Sequence, residues 1–465
     1  MDSSGFFYQQ FLAQFPYAPT TCQTRLLRAV SDFITSDDGD ILVVNGYAGT
    51  GKTTAVAAIV AALKPLEIPS VLLAPTGRAA KVLSLYAGKP ASTIHKHIYR
   101  QKSMGSDGFG AFSLMPNKAR GTLYIVDEVS LIGITSEAGG GAFGSGNLLE
   151  DLVSFVRDGV ECKLVLIGDA AQLPPVGLDS SPALTPAYMN GMSGVSYVTL
   201  NTVVRQARES GILQNATQLR SLLTDGSTSL KLQPFPDVER IGGGELLEAL
   251  SDAYGQYGED EVIVLCRSNK RAGRYNAGIR AQVLFHEESL VRGERLMVVK
   301  NHYLDSLEGT DYIANGDTAT LVWARHFEER YGLHFADACL AFPDYGDQEV
   351  EMKILLDTLE SDAPSLSYQQ SQALYQGVSA DYEHLPTKKQ RYDAVREDPF
   401  FNALQIKYAH AITGHKAQGG QWDCVFIDNP IWQDDVTEDD LKWLYTALTR
   451  AVQKVYLVNF RDSLF

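Results

Sequence analysis

The sequence predicts an α/β protein with two tandem units of parallel sheet and a smaller β-rich insert. Three observations lead there. First, the β-branched run Ile41–Val44 is followed by a glycine-rich loop and by the apolar stretch Ala55–Leu63, the order strand, loop, helix. Second, the apolar runs Ser70–Ala74, Leu123–Val126 and Lys163–Ile167 each end in polar or glycine residues and alternate with helical stretches. That is the pattern of an open parallel sheet, which binds ligands at the carboxyl ends of its strands. Third, the same alternation restarts after Arg205 and is interrupted between about Val291 and Phe401.

Taken in order, Ile41–Val44 reads as a strand buried on both faces, because it is apolar without alternation. Ser70–Ala74 ends in Pro75-Thr76-Gly77, and Arg78–Ala87 is helical in pattern. Tyr99–Gly121 carries Gly105, Gly108 and Gly110 with Phe109 and Phe112 and suits a β-hairpin, whereas Ala138–Gly146 reads as a surface linker. Leu123–Val126 ends in Asp127-Glu128, and Lys163–Ile167 in Gly168-Asp169. In the second unit Val262–Leu265, Ile406–Ala411, Val425–Ile427 and Val455–Val458 are strands, and Lys270–Val283 is a helix. The insert begins with the runs Arg295–Val299 and Thr318–Val322 on either side of Asn315-Gly316-Asp317. Residues 358–400 are polar and acidic, helical or irregular.

Bulk properties narrow the function. A chain of 465 residues is too long for one ordinary core. No apolar run is long enough to span a bilayer, and the first ten residues lack a signal peptide's pattern. Five separated cysteines with no CxxC pair read as reduced residues of a cytoplasmic protein. The net charge of −16 argues against a uniformly basic coat for nucleic acid but leaves room for a local groove.

The chemistry is concentrated in a few segments. Residues Gly46 to Thr53, GYAGTGKT, fit G-x-x-x-x-G-K-[ST] completely. Backbone amides of Gly46, Ala48, Gly49, Thr50, Gly51, Lys52, Thr53 and Thr54 surround the place where a nucleoside triphosphate would lie, at a helix N-terminus. Lys52 would reach the β- and γ-phosphates, and the Thr53 hydroxyl would ligate Mg²⁺. Asp127, at the end of a strand, would hold that metal, and Glu128 would be the general base that orients water. Gln172 suits a γ-phosphate sensor. Arg205 and Arg450 are the candidate cations for charge developing in phosphoryl transfer. If both touch one phosphate, ATP lies in a cleft between the two units.

The ordered set GYAGTGKTT, LLAPTGRAAK, STIHK, IVDEVSL, GDAAQLPPVG, VVRQ, ITGHKAQGGQW and YTALTRA resembles the superfamily 1 helicases, and within them the RecD/Dda-like branch that moves 5′ to 3′. The resemblance runs from about Gln23 to Arg450. It implies two RecA-like P-loop motor domains, residues 1–205 and residues 206–290 with 401–465. It also implies an SH3-like insert with an extension at 291–400, and a strand-splitting pin at about 99–121. By the same resemblance Gln23 reads the adenine edge and Gly419 lies near the γ-phosphate. Pro75, Thr76, Gly77, Thr93, His95, Thr413, His415 and Lys416 hold the backbone of a single strand. Hydroxyls, amides and single cations suit such contacts, because they hold phosphates without reading bases. Ala417 stands where family members often carry a serine.

The expected activity is ATP- and Mg²⁺-dependent 5′-to-3′ unwinding of DNA by a monomer loaded on a 5′ single-stranded tail. The alternatives are a single-strand translocase or nuclease-complex motor without independent unwinding, and an RNA helicase, since backbone contacts do not fix the sugar. A guanine-nucleotide switch needs N-K-x-D, and Asn117-Lys118-Ala119-Arg120 and Asn269-Lys270-Arg271-Ala272 lack the aspartate.

Overall fold

The computed structural model describes residues 3–104, 110–134, 144–203, 210–307 and 310–465. Two helices, Ser3–Ala13 and Thr21–Thr35, precede the first sheet. The second starts at a capping box, in which the Thr20 hydroxyl accepts from the Gln23 amide while the Gln23 side chain accepts from Thr20 N.

The first sheet comprises β1 (Ile41–Gly46), β2 (Ser70–Ala74) and β3 (Ala91–Thr93). After the antiparallel hairpin β4 (Tyr99–Met104) and β5 (Gly110–Leu114) it continues with β6 (Leu123–Val126), β7 (Lys163–Gly168) and β8 (Val195–Leu200). Its strands are parallel, in the order β3-β2-β6-β7-β1-β8. β1 shows why such strands are apolar throughout. Leu42 and Val44 face one core with the helices Thr21–Thr35 and Lys52–Leu63, while Ile41 and Val43 face another with the helix Leu148–Asp158. The tip of the Tyr99–Gly121 segment and most of the Ala138–Gly146 linker lie outside the described residues.

The chain then forms β9 (Val238–Ile241) and β10 (Val262–Cys266). The insert follows: β11 (Arg295–Val298), the hairpin β12 (His302–Leu307) and β13 (Thr310–Ile313), β14 (Thr318–Arg330), β15 (Leu333–Phe342), β16 (Gln348–Leu355) and β17 (Leu404–Tyr408). Strands β11, β14, β15, β16 and β17 close a small barrel. The helices Tyr368–Asp381 and Lys388–Glu397 pack through Leu374, Val378 and Val395 against Leu333, Phe335 and Leu355. The chain returns to the second sheet with β18 (Ala411–Thr413), β19 (Trp422–Asp428) and β20 (Ala451–Val458), in the order β18-β10-β19-β20-β9, all parallel.

Two expectations shift. The strand read at Ile406–Ala411 is divided: Leu404–Tyr408 closes the barrel, and only Ala411–Thr413 joins the sheet. The barrel thus runs past the boundary expected at residue 400, because Leu296 and Val298 pair with Tyr408 and Ile406. The insert also draws on β15 and β16, whose sequence carried no recognised pattern.

The two sheets do not sit apart. Ala171 and Leu173, in the loop after β7, belong to the hydrophobic core of the second unit, with Trp422, Trp443 and Tyr445. Among the described residues no helix is long and apolar enough to cross a membrane.

Candidate functional site

The polar ends of β1, β6 and β7 converge where the second unit packs against the first. Gly49 and Gly51 have φ of +71° and +79°, a left-handed conformation that L side chains adopt at a cost. Gly51 is the N-cap of the helix Lys52–Leu63 and makes no side-chain cap bond, so the first-turn amides point out of the helix N-terminus toward the loop. The Lys52 ammonium donates to the Gly46 and Tyr47 carbonyls and is held over the loop. The Thr50 hydroxyl donates to the Tyr47 carbonyl at 2.7 Å, and Thr54 Oγ1 accepts from the Tyr17 hydroxyl at 3.4 Å.

Asp127 and Glu128 lie beside this loop. Burial, reinforced by the neighbouring Glu128 charge and opposed by Lys52, pushes the Asp127 carboxyl up to about 6. Asp127 Oδ1 accepts from the Glu128 amide at 2.8 Å. Glu128 itself has a φ of +55°, strain of the kind that accumulates where a side chain must be aimed. A half-buried carboxylate whose charge is poorly stabilised suits a divalent cation. Among the described residues no cluster of three metal-ligating His, Cys, Asp or Glu side chains exists. Asp127 and the Thr53 hydroxyl are the groups that would hold Mg²⁺ here.

Gln172 and Arg450 come together from the two units. With its amide oriented to donate to a carboxylate, Gln172 donates to Glu128 Oε2 at 3.3 Å and accepts from Arg450 Nη2 at 3.2 Å. Arg450 is 5% exposed. Its Nε donates to the Thr446 carbonyl at 3.1 Å, Nη1 to the Gly420 carbonyl at 3.3 Å and Nη2 to Thr449 Oγ1 at 3.2 Å. The second unit thus delivers a guanidinium to the amide that touches the candidate base. Arg205 lies outside the described residues.

One carried-over position differs from the resemblance. Gln23 is fully buried, and its amide is spent on the fold: Nε2 donates to the Thr50 carbonyl at 3.0 Å and Oε1 accepts from Thr20 N at 2.8 Å. It braces the loop from beneath. The Ala48 amide donates to the Tyr445 hydroxyl at 2.9 Å. Gly419, with φ +78°, packs against Ala79 of the first unit, where a Cβ would come within 2.9 Å.

The candidate strand contacts lie along the same carboxyl-end edge. Thr93 pairs in register with Ala74, which places it beside Pro75. Thr76 caps the helix Gly77–Ala87 by accepting from Ala79 N at 3.2 Å, and Thr93 caps Ile94–Ile98 by accepting from Lys96 N at 3.3 Å. Gly77 touches the barrel turn: a Cβ there would lie 2.8 Å from both Ala314 and Asp317. The Lys416 ammonium donates to Asn315 of that turn. The structure therefore brings Gly77 and Lys416, from different units, to one turn of the barrel. Thr413 pairs with Cys266 at the end of β18. Burial lowers His95 to about 4 and Lys416 to about 8. His415 is also lowered by burial; it faces the Pro174 carbonyl, in the Gln172 loop.

The sequence reading passed over two residues. Asp169 is fully buried, and Tyr445 is 1% exposed, donating to Asp169 Oδ2 at 2.6 Å. The signal was present in part: Asp169 ends a strand beside the phosphate loop, and Tyr445 opens the motif that carries Arg450.

The chain is similar to known proteins over most of its length. A family described as AAA domain matches residues 23–246, and one described as UvrD-like helicase C-terminal domain matches residues 408–458. The chain is 29% identical over 272 residues to the ATP-dependent RecD2 DNA helicase of Deinococcus radiodurans, covering 57% of this chain and 34% of that protein. It thus spans about a third of that relative's length. It is 25% identical over 454 residues to the ATP-dependent DNA helicase dda of Enterobacteria phage T4, covering 90% of this chain and 94% of that one. The crystal structure of Pif1 helicase from Bacteroides, in complex with ADP-AlF3 and ssDNA, shares the fold with a TM-score of 0.51 at 16% identity. That match covers 96% of this chain and 94% of the other.

Proposed function

We propose that this chain, a superfamily 1 helicase of the RecD/Dda type, is an ATP-dependent DNA helicase that moves 5′ to 3′ on a single strand and separates the duplex ahead. The observation that carries this reading is the chain Glu128–Gln172–Arg450 across the two units. A hydrolytic base, an amide sensor and a cation from the far end of the sequence meet where the two units pack together. Hydrolysis is thereby tied to their relative position.

Phosphate binding falls to the amides of the Gly46–Thr54 loop other than that of Ala48, and to Lys52, which would exchange its loop carbonyls for phosphate oxygens. Gln23 acts through Thr50, beneath the nucleotide. Mg²⁺, when bound, offsets phosphate charge; Thr53 and Asp127 would hold it. Glu128 would take the proton of the attacking water, and Gln172 would orient that water. Arg450, with Arg205, would neutralise charge on the transferred phosphoryl group.

Strand movement follows from the second edge of the same cleft. Pro75, Thr76, Gly77, Thr93 and His95 belong to the first unit; Thr413, His415 and Lys416 belong to the second. Closing and reopening the cleft would shift one set of grips relative to the other along a single strand. Lys52→Ala tests the reading: single-strand-stimulated ATP hydrolysis should fall to background, and an unchanged rate would overturn it.

A further inference from the structure

The link between Tyr445, Asp169 and Ala48 has no part in the mechanism above. Tyr445 lies in the helix Glu438–Leu448 of the second unit, one residue before Thr446 and five before Arg450. Its hydroxyl accepts from the Ala48 amide of the phosphate loop at 2.9 Å and donates to Asp169 Oδ2 at 2.6 Å. Asp169 Oδ1 accepts from Ala171 N at 3.0 Å. The loop that carries Gln172 is therefore fixed at its start by Tyr445. At its end, Leu173 N donates to the Thr446 hydroxyl at 2.8 Å, and Gln418 Nε2 donates to the Leu173 carbonyl at 2.8 Å. Phosphate loop, sensor loop and the helix that leads into Arg450 are thus tied together by one buried hydroxyl.

We propose that Tyr445 is a positioning residue for ATP hydrolysis: its hydroxyl, seated on Asp169 and the Ala48 amide, sets the register between the Gln172 loop and Arg450. The inference rests on the ATPase reading above and deepens it. A phenol suits this task because one O–H accepts and donates at once and the ring is rigid. A buried carboxylate is a strong acceptor for it, so the link is specific for a hydroxyl at that point. Slippage of about 1 Å between reacting groups is enough for a loss of about 100-fold.

The experiment compares full-length wild type, Tyr445→Phe, Asp169→Ala and the double variant by steady-state ATPase in saturating oligo-dT. Fluorescent ADP binding and thermal melting are measured alongside. Tyr445→Phe keeps the ring and its packing. The expected result is a kcat lowered about tenfold or more, with KM for ATP, ADP affinity and melting temperature near wild type. A merely structural role would move the last two instead. The double variant should be no slower than the slower single one, since both remove one link. Should Tyr445→Phe fail to fold, Asp169→Ala carries the same kcat-against-KM test. A kcat for Tyr445→Phe within twofold of wild type overturns the proposal, as does a double variant in which the two losses multiply. Lys52→Ala is the control: a wild-type chain that hydrolyses no faster than this variant overturns the ATPase reading itself, and the inference with it.

Discussion

Arg450→Lys is the sharpest perturbation of the split site, because it keeps the charge and removes the geometry. The guanidinium makes separate bonds from Nε, Nη1 and Nη2 to Thr446, Gly420 and Thr449, and Nη2 also reaches the Gln172 amide. A single tetrahedral ammonium on a shorter stem cannot satisfy these acceptors and the amide together. Loss of an arginine aimed at the transferred phosphoryl group costs about 10³ to 10⁵ in rate. The retained charge places the expected loss at the low end, about 10³ in kcat, or about 4 kcal/mol at about 1.4 kcal/mol per factor of ten. Two charge-assisted bonds to the Thr446 and Gly420 carbonyls are lost at the same time, about 1.5 to 3 kcal/mol each. The folded chain should therefore melt several degrees lower and remain folded at 25 °C. The assay is single-turnover ATP hydrolysis in saturating oligo-dT, with nucleotide affinity measured separately. Hydrolysis within tenfold of wild type, at unchanged affinity, would refute the idea that Arg450 serves the transition state.

Three other predictions follow from the same geometry. Asp127 must be ionised to hold Mg²⁺, and burial with the Glu128 charge raises it to about 6. Metal-dependent hydrolysis is thus present above that pH and lost as pH falls through it, by about tenfold per unit below; a flat profile from pH 7 to pH 5 would contradict this. Glu128→Gln should lower kcat by about 10² to 10⁴ while nucleotide binding persists, because it removes the base and keeps the shape; equilibrium binding of a slowly hydrolysed ATP analogue checks the second half. Gly77→Ala places a Cβ 2.8 Å from Ala314 and Asp317, so it should push the barrel turn away and weaken oligo-dT binding severalfold with ATP affinity unchanged, as fluorescence anisotropy would show.

The fold was most legible where burial leaves its mark on sequence. β1, β2, β6, β7 and β10 are buried on both faces, and each reads as an unbroken apolar run. β8 escaped notice because it lies at the sheet edge with Ser196, Tyr197 and Thr199 exposed. β3 is three residues long, too short for a period. In the barrel, β14 loses its alternation after Leu321 and becomes exposed, so its pairing with β15 leaves little trace in hydropathy.

At the site, Lys52, Asp127, Glu128, Gln172 and Arg450 stand out in the sequence by their types and order, and the structure brings Glu128, Gln172 and Arg450 within hydrogen-bond reach of one another. What sequence could not convey was which polar groups the fold itself consumes. Gln23 has an amide suited to a base edge, yet that amide is taken by Thr50 and by a helix cap. Ala48 has an amide suited to phosphate, yet Tyr445 holds it. Tyr445 and Asp169 are separated by 276 residues, and only the packing of one unit on the other makes them a pair.

The central claim is that closure of the two units on ATP drives movement along one strand in one direction. Unwinding of a fluorescent duplex with a 5′ single-stranded DNA tail, against the same duplex with a 3′ tail and with an RNA tracking strand, tests it most directly. The account predicts ATP- and Mg²⁺-dependent opening of the 5′-tailed DNA duplex, abolished by Lys52→Ala, with the 3′-tailed duplex left intact. Opening of the 3′-tailed duplex, a preference for the RNA strand, or hydrolysis without opening of either duplex would contradict it.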